Sequence, residues 1–267
     1  TSNPLTQDMH ISAGIITFND ARNIGRRLDS IAGVADDVVV VDSFSTDETE
    51  AICRSRGARF FQRPFDGYIG QKNWANEQAL HPLILSLDAD EALSPELRES
   101  ILSVKKDVQK DGYALNRRTN YCGRWINHSG WYPDRKIRLF DRRRARWGGT
   151  TPHEWLVLDH PESVGFLRGD LLHYSYYTVE EHYARARKYA DAAARAKWEQ
   201  GKRGSWLRVL FSPLFKFVRN YIFRLGFLDG RAGLTICRIA ALETYWKYRG
   251  VILLYKKGQQ GSFTPLF

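Results

Sequence analysis

Acidic residues are nearly missing from one stretch of this 267-residue chain. Residues 201–257 hold twelve Lys or Arg and only two acids, Asp229 and Glu243. That excess equals the formal net charge of +10, so the remainder is balanced. A basic block of this kind seeks a polyanion, either nucleic acid or an anionic membrane surface. Cysteine is also scarce. Cys53, Cys122 and Cys237 are widely spaced and form no CxxC, which reads as free thiols in a reducing compartment. No GxGxxG follows the first strand-like run, which argues against a dinucleotide cofactor. No secretory signal pattern is read, and no repeat or low-complexity tract occurs. The single methionine, Met9, stands just before that first run, and residues 1–8 read as a loose arm outside the fold.

What the chain does contain is an alternation of strand and helix patterns. Hydrophobic residues make up 43% of it, enough for a real core. Ile11–Phe18 is a short apolar run, and Ala21–Ile31 has helical spacing with Ile24, Leu28 and Ile31 on one face. Asp37–Asp42 (DVVVVD) reads as a buried parallel strand, and Ser45–Glu48 offers cap chemistry for a helix to about Arg56. Ala58–Gln62 (strand), Gln71–Leu80 (helix) and Leu83–Leu87 (strand) complete a β-α-β-α-β-α-β order. That order predicts a mostly parallel sheet with right-handed crossovers. Ligands bind at the carboxyl ends of such strands. Thr17-Phe18-Asn19, Asp42-Ser43 and Asp88-Ala89-Asp90 should therefore face one crevice. Shorter strands are expected at 113–117, 136–140, 155–158 and 171–174. Helix follows from Val179 to about Lys257, interrupted near Gly201–Gly204 and Gly226–Gly233.

The acid cluster Asp88-Ala89-Asp90-Glu91 at a strand end suits a hard divalent cation that bridges two phosphates. The competing reading is that these acids cap the helix that starts near Ser94-Pro95. The ordered set T-F-N (17–19), V-V-D-S-F-S-T-D-E-T (40–49), Q-K-N (71–73) and L-D-A-D-E (87–91) resembles the family 2 glycosyltransferases of the GT-A fold. A narrower likeness, to the branch with bacterial lipopolysaccharide-core β-1,4-glucosyltransferases, rests on G-W-Y-P-D (130–134), R-L-F (138–140), H-E (153–154) and G-F-L-D-G (226–230).

The resemblance implies an α/β GT-A (Rossmann-like) catalytic domain over 10–178, and the charge and helical pattern beyond it predict a basic amphipathic helical extension over 179–257 that associates with membrane, with tails at 1–9 and 258–267. It implies that Thr17, Phe18, Asn19, Asp42, Ser43, Lys72 and Asp88 bind the nucleotide sugar, with Phe18 stacking on the base. Stacking suits any base, and plain core is the other reading of Phe18. Ser43 replaces an acid common in the family. Asp90 is expected as the main ligand of Mn²⁺ or Mg²⁺, with Asp88 and His173 beside it. A structural histidine is the alternative for His173, and a solvated helix face for Lys72. Glu154 falls at the catalytic carboxylate as general base, where H-E replaces the usual E-D. Asp134 is the runner-up, and a surface acid paired with arginine is the other reading of Glu154.

Arg135 and Arg138, within a basic run to Arg146, would hold donor or acceptor phosphates or form local ion pairs. Ser205–Phe227 carries a charge every few residues, so it falls short of the ~20 mostly apolar residues that span a bilayer. It suits an interfacial helix on anionic lipid, kinked or restarted at Pro213, or one that packs on the catalytic domain. The expected activity is inverting transfer of a hexose, first of all glucose from UDP-glucose, to a lipid-linked glycan such as the lipopolysaccharide inner core. Another nucleotide sugar or an undecaprenyl-linked acceptor is the near alternative. A sugar nucleotidyltransferase would need a Gly-rich basic loop where Ile16–Asp20 stands, and a nucleic-acid-binding protein would have no use for the acid cluster. No nucleic-acid partner is therefore expected. The expected location is cytoplasmic, peripheral on the inner face of the bacterial inner membrane.

Overall fold

The computed structural model describes residues 9–150 and 153–259, so the tails at 1–8 and 260–267 lie outside the described residues. The chain forms two compact units, one of residues 1–118 and 134–174, the other of residues 119–133 and 175–267.

The first unit opens with β1 (Ile11–Thr17), α1 (Ala21–Ile31), β2 (Asp37–Asp42), α2 (Thr49–Ser55), β3 (Arg59–Gln62), α3 (Tyr68–Gln78) and β4 (Leu83–Asp88). The expected alternation is all here. β2 and β4 pair with β1 in parallel, and β3 pairs with β2 in parallel. Ile11, Ala13, Ile15, Val39, Val40, Val41, Leu83, Leu85 and Leu87 are all buried. Burial on both faces is why these strands read as unbroken apolar runs. Ile24, Leu28 and Ile31 face the sheet from α1 as their spacing predicts, and Arg27 is buried with them.

The chain continues through β5 (Glu91–Leu93), α4 (Pro95–Lys106), β6 (Gly112–Tyr121), β7 (Arg124–Trp125), β8 (Asp134–Asp141), β9 (Ala145–Thr150), β10 (His153–Leu158) and β11 (Val164–Tyr176). Among the described residues these join a nine-stranded sheet in the order β3-β2-β1-β4-β8-β6-β11-β5, with β7 on β6. β8 runs antiparallel to β4, and β11 antiparallel to β5. β9 and β10 form a separate antiparallel hairpin. The cap of α4 is Ser94, whose Oγ accepts from Leu97 N at 3.2 Å. The acids at 88–91 are thus not needed as caps, and Glu91 instead opens β5.

The second unit holds α5 (Val179–Glu199), α6 (Trp206–Val218) and α7 (Gly230–Gln259). A capping box starts α5: Thr178 Oγ1 accepts from Glu181 N, and the Glu181 carboxylate accepts from Thr178 N. α6 passes through Pro213 instead of stopping there, then widens into a π turn at Arg219–Phe223. Among the described residues no helix is long and apolar enough to cross a membrane.

Asp229, from the G-F-L-D-G run, is buried in this unit. Its carboxylate accepts from the backbone N–H of Asn127 and His128 and from Ser129 Oγ, each at 3.0–3.1 Å. The motif therefore ties residues 127–129 to the turn that precedes α7. This explains why 119–133, placed by the sequence reading inside a domain over 10–178, groups with the helices.

Candidate active site

Asp42 closes β2 and accepts from the backbone N–H and hydroxyl of Ser45. Ser45 Oγ in turn accepts from Asn19 N at 2.7 Å, and Asn19 Oδ1 accepts from Thr46 N at 2.8 Å. These bonds lock the tips of β1 and β2 together. Asn19 and Phe44 both take left-handed backbone angles, φ 49° and 62°. Such angles are costly for a non-glycine residue and recur at ligand sites. Phe18 is 60% exposed and Phe44 51% exposed at these neighbouring tips. Phe18 is therefore not core. Phe44 is a second open aromatic to which sequence reasoning gave no role, although it sits inside the quoted motif. Thr17 is buried, and its Oγ1 has no partner among the described residues.

The Q-K-N run on α3 reaches three separate elements. Gln71 Nε2 donates to Ser43 Oγ at 3.0 Å. Lys72 Nζ stands 2.9 Å from Asp88 Oδ1 and 3.8 Å from Glu154 Oε1. It also lies 4.4 Å from the centre of the Trp147 ring. Asn73 exchanges two hydrogen bonds with the backbone of Trp147, at 3.0 and 2.9 Å. That exchange holds the β9–β10 hairpin on α3, and β10 carries Glu154. Lys72 is only 4% exposed, so it is no solvated surface residue. Of the His-Glu pair, the His153 side chain lies outside what the structure describes.

A chain of alternating charges continues from Asp88. Arg138 Nη2 lies 2.6 Å from Asp88 Oδ2 and 2.7 Å from Glu91 Oε1. Arg117 contacts Glu91 Oε1 at 3.4 Å and Asp134 Oδ2 at 2.7 Å, and Lys136 reaches Asp134 at 3.1 Å. Burial opposes ionisation of Asp88, but Arg138 and Lys72 outweigh it and hold its carboxyl far below the usual range. Of the two readings of Arg138, phosphate or local ion pairs, the structure shows ion pairs: its buried guanidinium bridges the half-buried Asp88 and the buried Glu91, while its Nε has no partner among the described residues. Asp88, expected beside the ribose and the metal, likewise has both oxygens engaged by protein cations. Arg135 keeps an outward position, with its guanidinium 5.3 Å from the centre of the Phe166 ring. Asp134 is held by two cations, whereas among the described residues Glu154 faces Lys72, at the longer distance.

Asp90 takes a different partner. β11 pairs with β5 so that His173 lies opposite Glu91, and His173 Nε2 comes within 3.2 Å of Asp90 Oδ2. Burial disfavours the charge on Asp90, yet the hydrogen bond and charge of His173 win and lower its pKa. An ionised carboxylate beside an imidazole fits a divalent cation, more readily Mn²⁺ than Mg²⁺. Among the described residues no cluster of three His, Cys, Asp or Glu exists that could hold a metal alone. A cation held here would take its other ligands from outside the chain.

Beneath the acid turn lies Arg27, wholly buried. Its Nε donates to Glu91 O at 3.0 Å and its Nη1 to Leu87 O at 3.3 Å, one carbonyl on each side of Asp88–Asp90. Helical spacing puts it on the face of Ile24, Leu28 and Ile31, but its charge reads against burial, so residue type hides it rather than position. Arg117 has no role in the sequence reading, and Glu91 stands there only within the acid cluster, for a related reason: their ion-pair partners lie on strands distant in sequence.

The profile of glycosyl transferase family 2 matches residues 12–158, which covers β1 to β10 and every element just described except β11. An uncharacterised glycosyltransferase of Rickettsia bellii is 32% identical over 249 residues, 88% of this chain and 83% of that protein. A lipopolysaccharide core biosynthesis glycosyltransferase of Rhizobium meliloti, LpsC, is 31% identical over 256 residues, 89% of this chain and 93% of its own length. Among solved structures, glucosyl-3-phosphoglycerate synthase of Mycobacterium tuberculosis with Mn²⁺, uridine diphosphate and product aligns at a TM-score of 0.35 and 20% identity, covering 42% of this chain and 44% of that one. With a family profile over more than half its length and relatives of this extent, the chain belongs to glycosyl transferase family 2 and is a glycosyltransferase of GT-A-like α/β fold.

Proposed function

We propose that this enzyme transfers a hexose, glucose from UDP-glucose in the leading case, to a lipid-linked glycan of the lipopolysaccharide-core kind, with inversion at the anomeric carbon. One observation carries the reading: Lys72 stands between Asp88 and Glu154, at 2.9 and 3.8 Å. The tip of β4 and a carboxylate some sixty residues later thus border one small charged region.

The donor base stacks on Phe18, with Asn19, Thr17, Asp42 and Ser43 lining the strand tips around it. The unpartnered Thr17 hydroxyl supplies a polar contact there. Asp90 and His173 would hold the divalent cation, which supplies positive charge to the departing diphosphate. Glu154 takes the proton from the acceptor hydroxyl as its oxygen bonds to the anomeric carbon. The bond from that carbon to the diphosphate oxygen breaks, and the nucleoside diphosphate leaves with the electron pair. Lys72 positions Glu154 and Asp88 relative to each other. The acceptor class draws its support from the name of the Rhizobium meliloti relative. Contact with a membrane surface draws its support from the second unit, where Trp206, Leu207, Leu210, Leu214 and Phe223 are each more than half exposed. Isolated exposed apolar residues are ordinary, but a run of them with interspersed cations suits an anionic bilayer.

A Glu154→Gln variant tests the centre of this proposal. It should remain folded by circular dichroism, bind nucleotide as before, and lose about 10²–10⁴-fold in kcat for labelled sugar transfer. Undiminished transfer by the folded variant would move the base to Asp134. Asp90→Ala should abolish Mn²⁺ binding in a calorimetric titration carried out with UDP, and unchanged Mn²⁺ affinity would remove Asp90 from the metal.

A further inference from the structure

Within the second unit, α6, the π turn and α7 enclose an open groove of about 390 Å³. Its walls are mixed in a particular way. Phe211, Phe215 and Tyr248 provide aromatic surface, while Lys216, Arg219 and Lys247 provide three cations. Like charges gathered in one groove repel, and half-burial makes this worse. Burial first, then Arg219, depresses the pKa of Lys216, and Arg224 and Lys247 add to the effect. The acid that faces the cations is Glu243, and burial raises its pKa against the pull of Lys247 and Lys216. A half-buried acid with that tendency, acted on by Lys247 and Lys216, is a poor neutraliser for three cations.

Arg219 carries a second sign. Its Nε is buried and has no hydrogen-bond partner among the described residues. Arginine donors in such surroundings are normally matched. Arg219 also begins the π turn, with Arg224 N donating to Arg219 O at 2.9 Å, and such widened turns recur at ligand sites. Phe211 and Phe215 are exposed as well as lining the groove, so its mouth is continuous with the apolar face of α6. A ligand for this place has a phosphate at one end and hydrocarbon at the other.

We propose that the groove between α6 and α7 is a headgroup site for one anionic membrane lipid, whose phosphate is held by Lys216, Arg219 and Lys247 while its chains lie along Phe211 and Phe215. This rests on the membrane contact proposed above and deepens it from a diffuse attraction to a built subsite. A diffuse basic face would bind through any of its cations. A built site depends on these three and spares others on the same helices.

The test is vesicle cosedimentation of the full chain with phosphatidylcholine alone and with phosphatidylcholine doped with phosphatidylglycerol. Wild type should prefer the doped vesicles by about ten-fold or more, given that each cation near an anionic surface contributes roughly five-fold. Lys216→Gln/Arg219→Gln/Lys247→Gln should lose that preference yet keep the residual binding to neutral vesicles. Arg208→Gln/Arg231→Gln/Arg238→Gln removes the same charge outside the groove and should keep most of it. Equal loss in both triple variants would overturn the site and leave only diffuse attraction. Competition by soluble glycerol phosphate as strong as by vesicles would overturn the lipid assignment. Failure of wild type to bind either vesicle would remove the membrane contact itself, and the groove site with it. Should the first triple variant fold poorly by circular dichroism, Lys247→Gln alone gives the same comparison, and an unchanged preference there counts against the site.

Discussion

Arg27 shows how one residue sets the geometry of the acid turn. A guanidinium without access to water calls for acceptors, and here Nε and Nη1 find the carbonyls of Glu91 and Leu87, while Nη2 has no partner among the described residues. Its charge also offsets the acids gathered above it, since Asp20, Asp88, Asp90 and Glu91 all act on it. Replacing it with Met leaves two buried carbonyls unpaired, at about 1–3 kcal/mol each. Arg27→Met should therefore lower stability in urea unfolding by about 3 kcal/mol and weaken the Mn²⁺ binding proposed at Asp90. Arg27→Lys should recover part of the stability, because a single ammonium cannot reproduce the two-pronged contact. A Met variant with unchanged stability and metal affinity would show that the turn holds itself. Residues of this kind mark the limit of what can be read from sequence. Asp90, His173, Lys72 and Glu154 stand out because their types suit the chemistry and their places match a family order. Arg27, Glu91 and Arg117 gain meaning only from pairings across the sheet. For Arg138 the sequence leaves phosphate and ion pairs open for the same reason: a cation is visible in sequence, but its partner is not.

At the scale of elements, the first four strands and three helices follow from periodicity, because a doubly covered sheet demands continuous apolar runs. β5, β7 and β9 fall outside the strand runs that the sequence predicts, and β7 is a mere two residues. β5 has three residues, too few for any period to show, and β9 is Ala-Arg-Trp-Gly-Gly-Thr, whose glycines read as loop. The start of α5 is legible from its capping box, but not the cluster that holds it. His182, on its first turns, is buried among Tyr121, Trp131 and Tyr176, and its Nδ1 is 3.1 Å from Tyr121 Oη. Burial, with a smaller push from Arg185, lowers the pKa of His182 to about 4 from 6.5. The unfolded chain takes up this proton near pH 6.5 while the folded chain refuses it until about pH 4. Stability contributed by the neutral imidazole is thus complete above pH 6.5 and falls as the pH drops through that interval. The urea midpoint should decline from pH 6.5 to 4. In His182→Phe it should start lower, because Tyr121 loses a partner, but lie flatter across the same range. Parallel slopes in the two proteins would place the acid sensitivity in other groups.

At the scale of the whole molecule, the residues proposed for chemistry all belong to the first unit and the exposed apolar stretch belongs to the second. This division makes the two functions separable by experiment. Leu207, Leu210 and Leu214 recur at helical spacing on α6 and are between 61% and 70% exposed, while Val209 is the buried residue of that helix. Burial of a leucine side chain in hydrocarbon stabilises by about 1.5–3 kcal/mol, so each lost leucine should weaken partition onto a bilayer by about ten- to hundred-fold. Their removal costs the fold little, because water already surrounds them. Leu207→Gln/Leu210→Gln/Leu214→Gln should accordingly hydrolyse the free nucleotide sugar at the wild-type rate. The same variant should transfer sugar poorly to an acceptor embedded in vesicles, and normally to a delipidated, water-soluble acceptor glycan. A variant that works equally well on both acceptors would show that the apolar face of α6 serves something other than reaching a membrane-borne substrate. A parallel loss on the soluble glycan would mean that the helical unit takes part in holding the sugar itself.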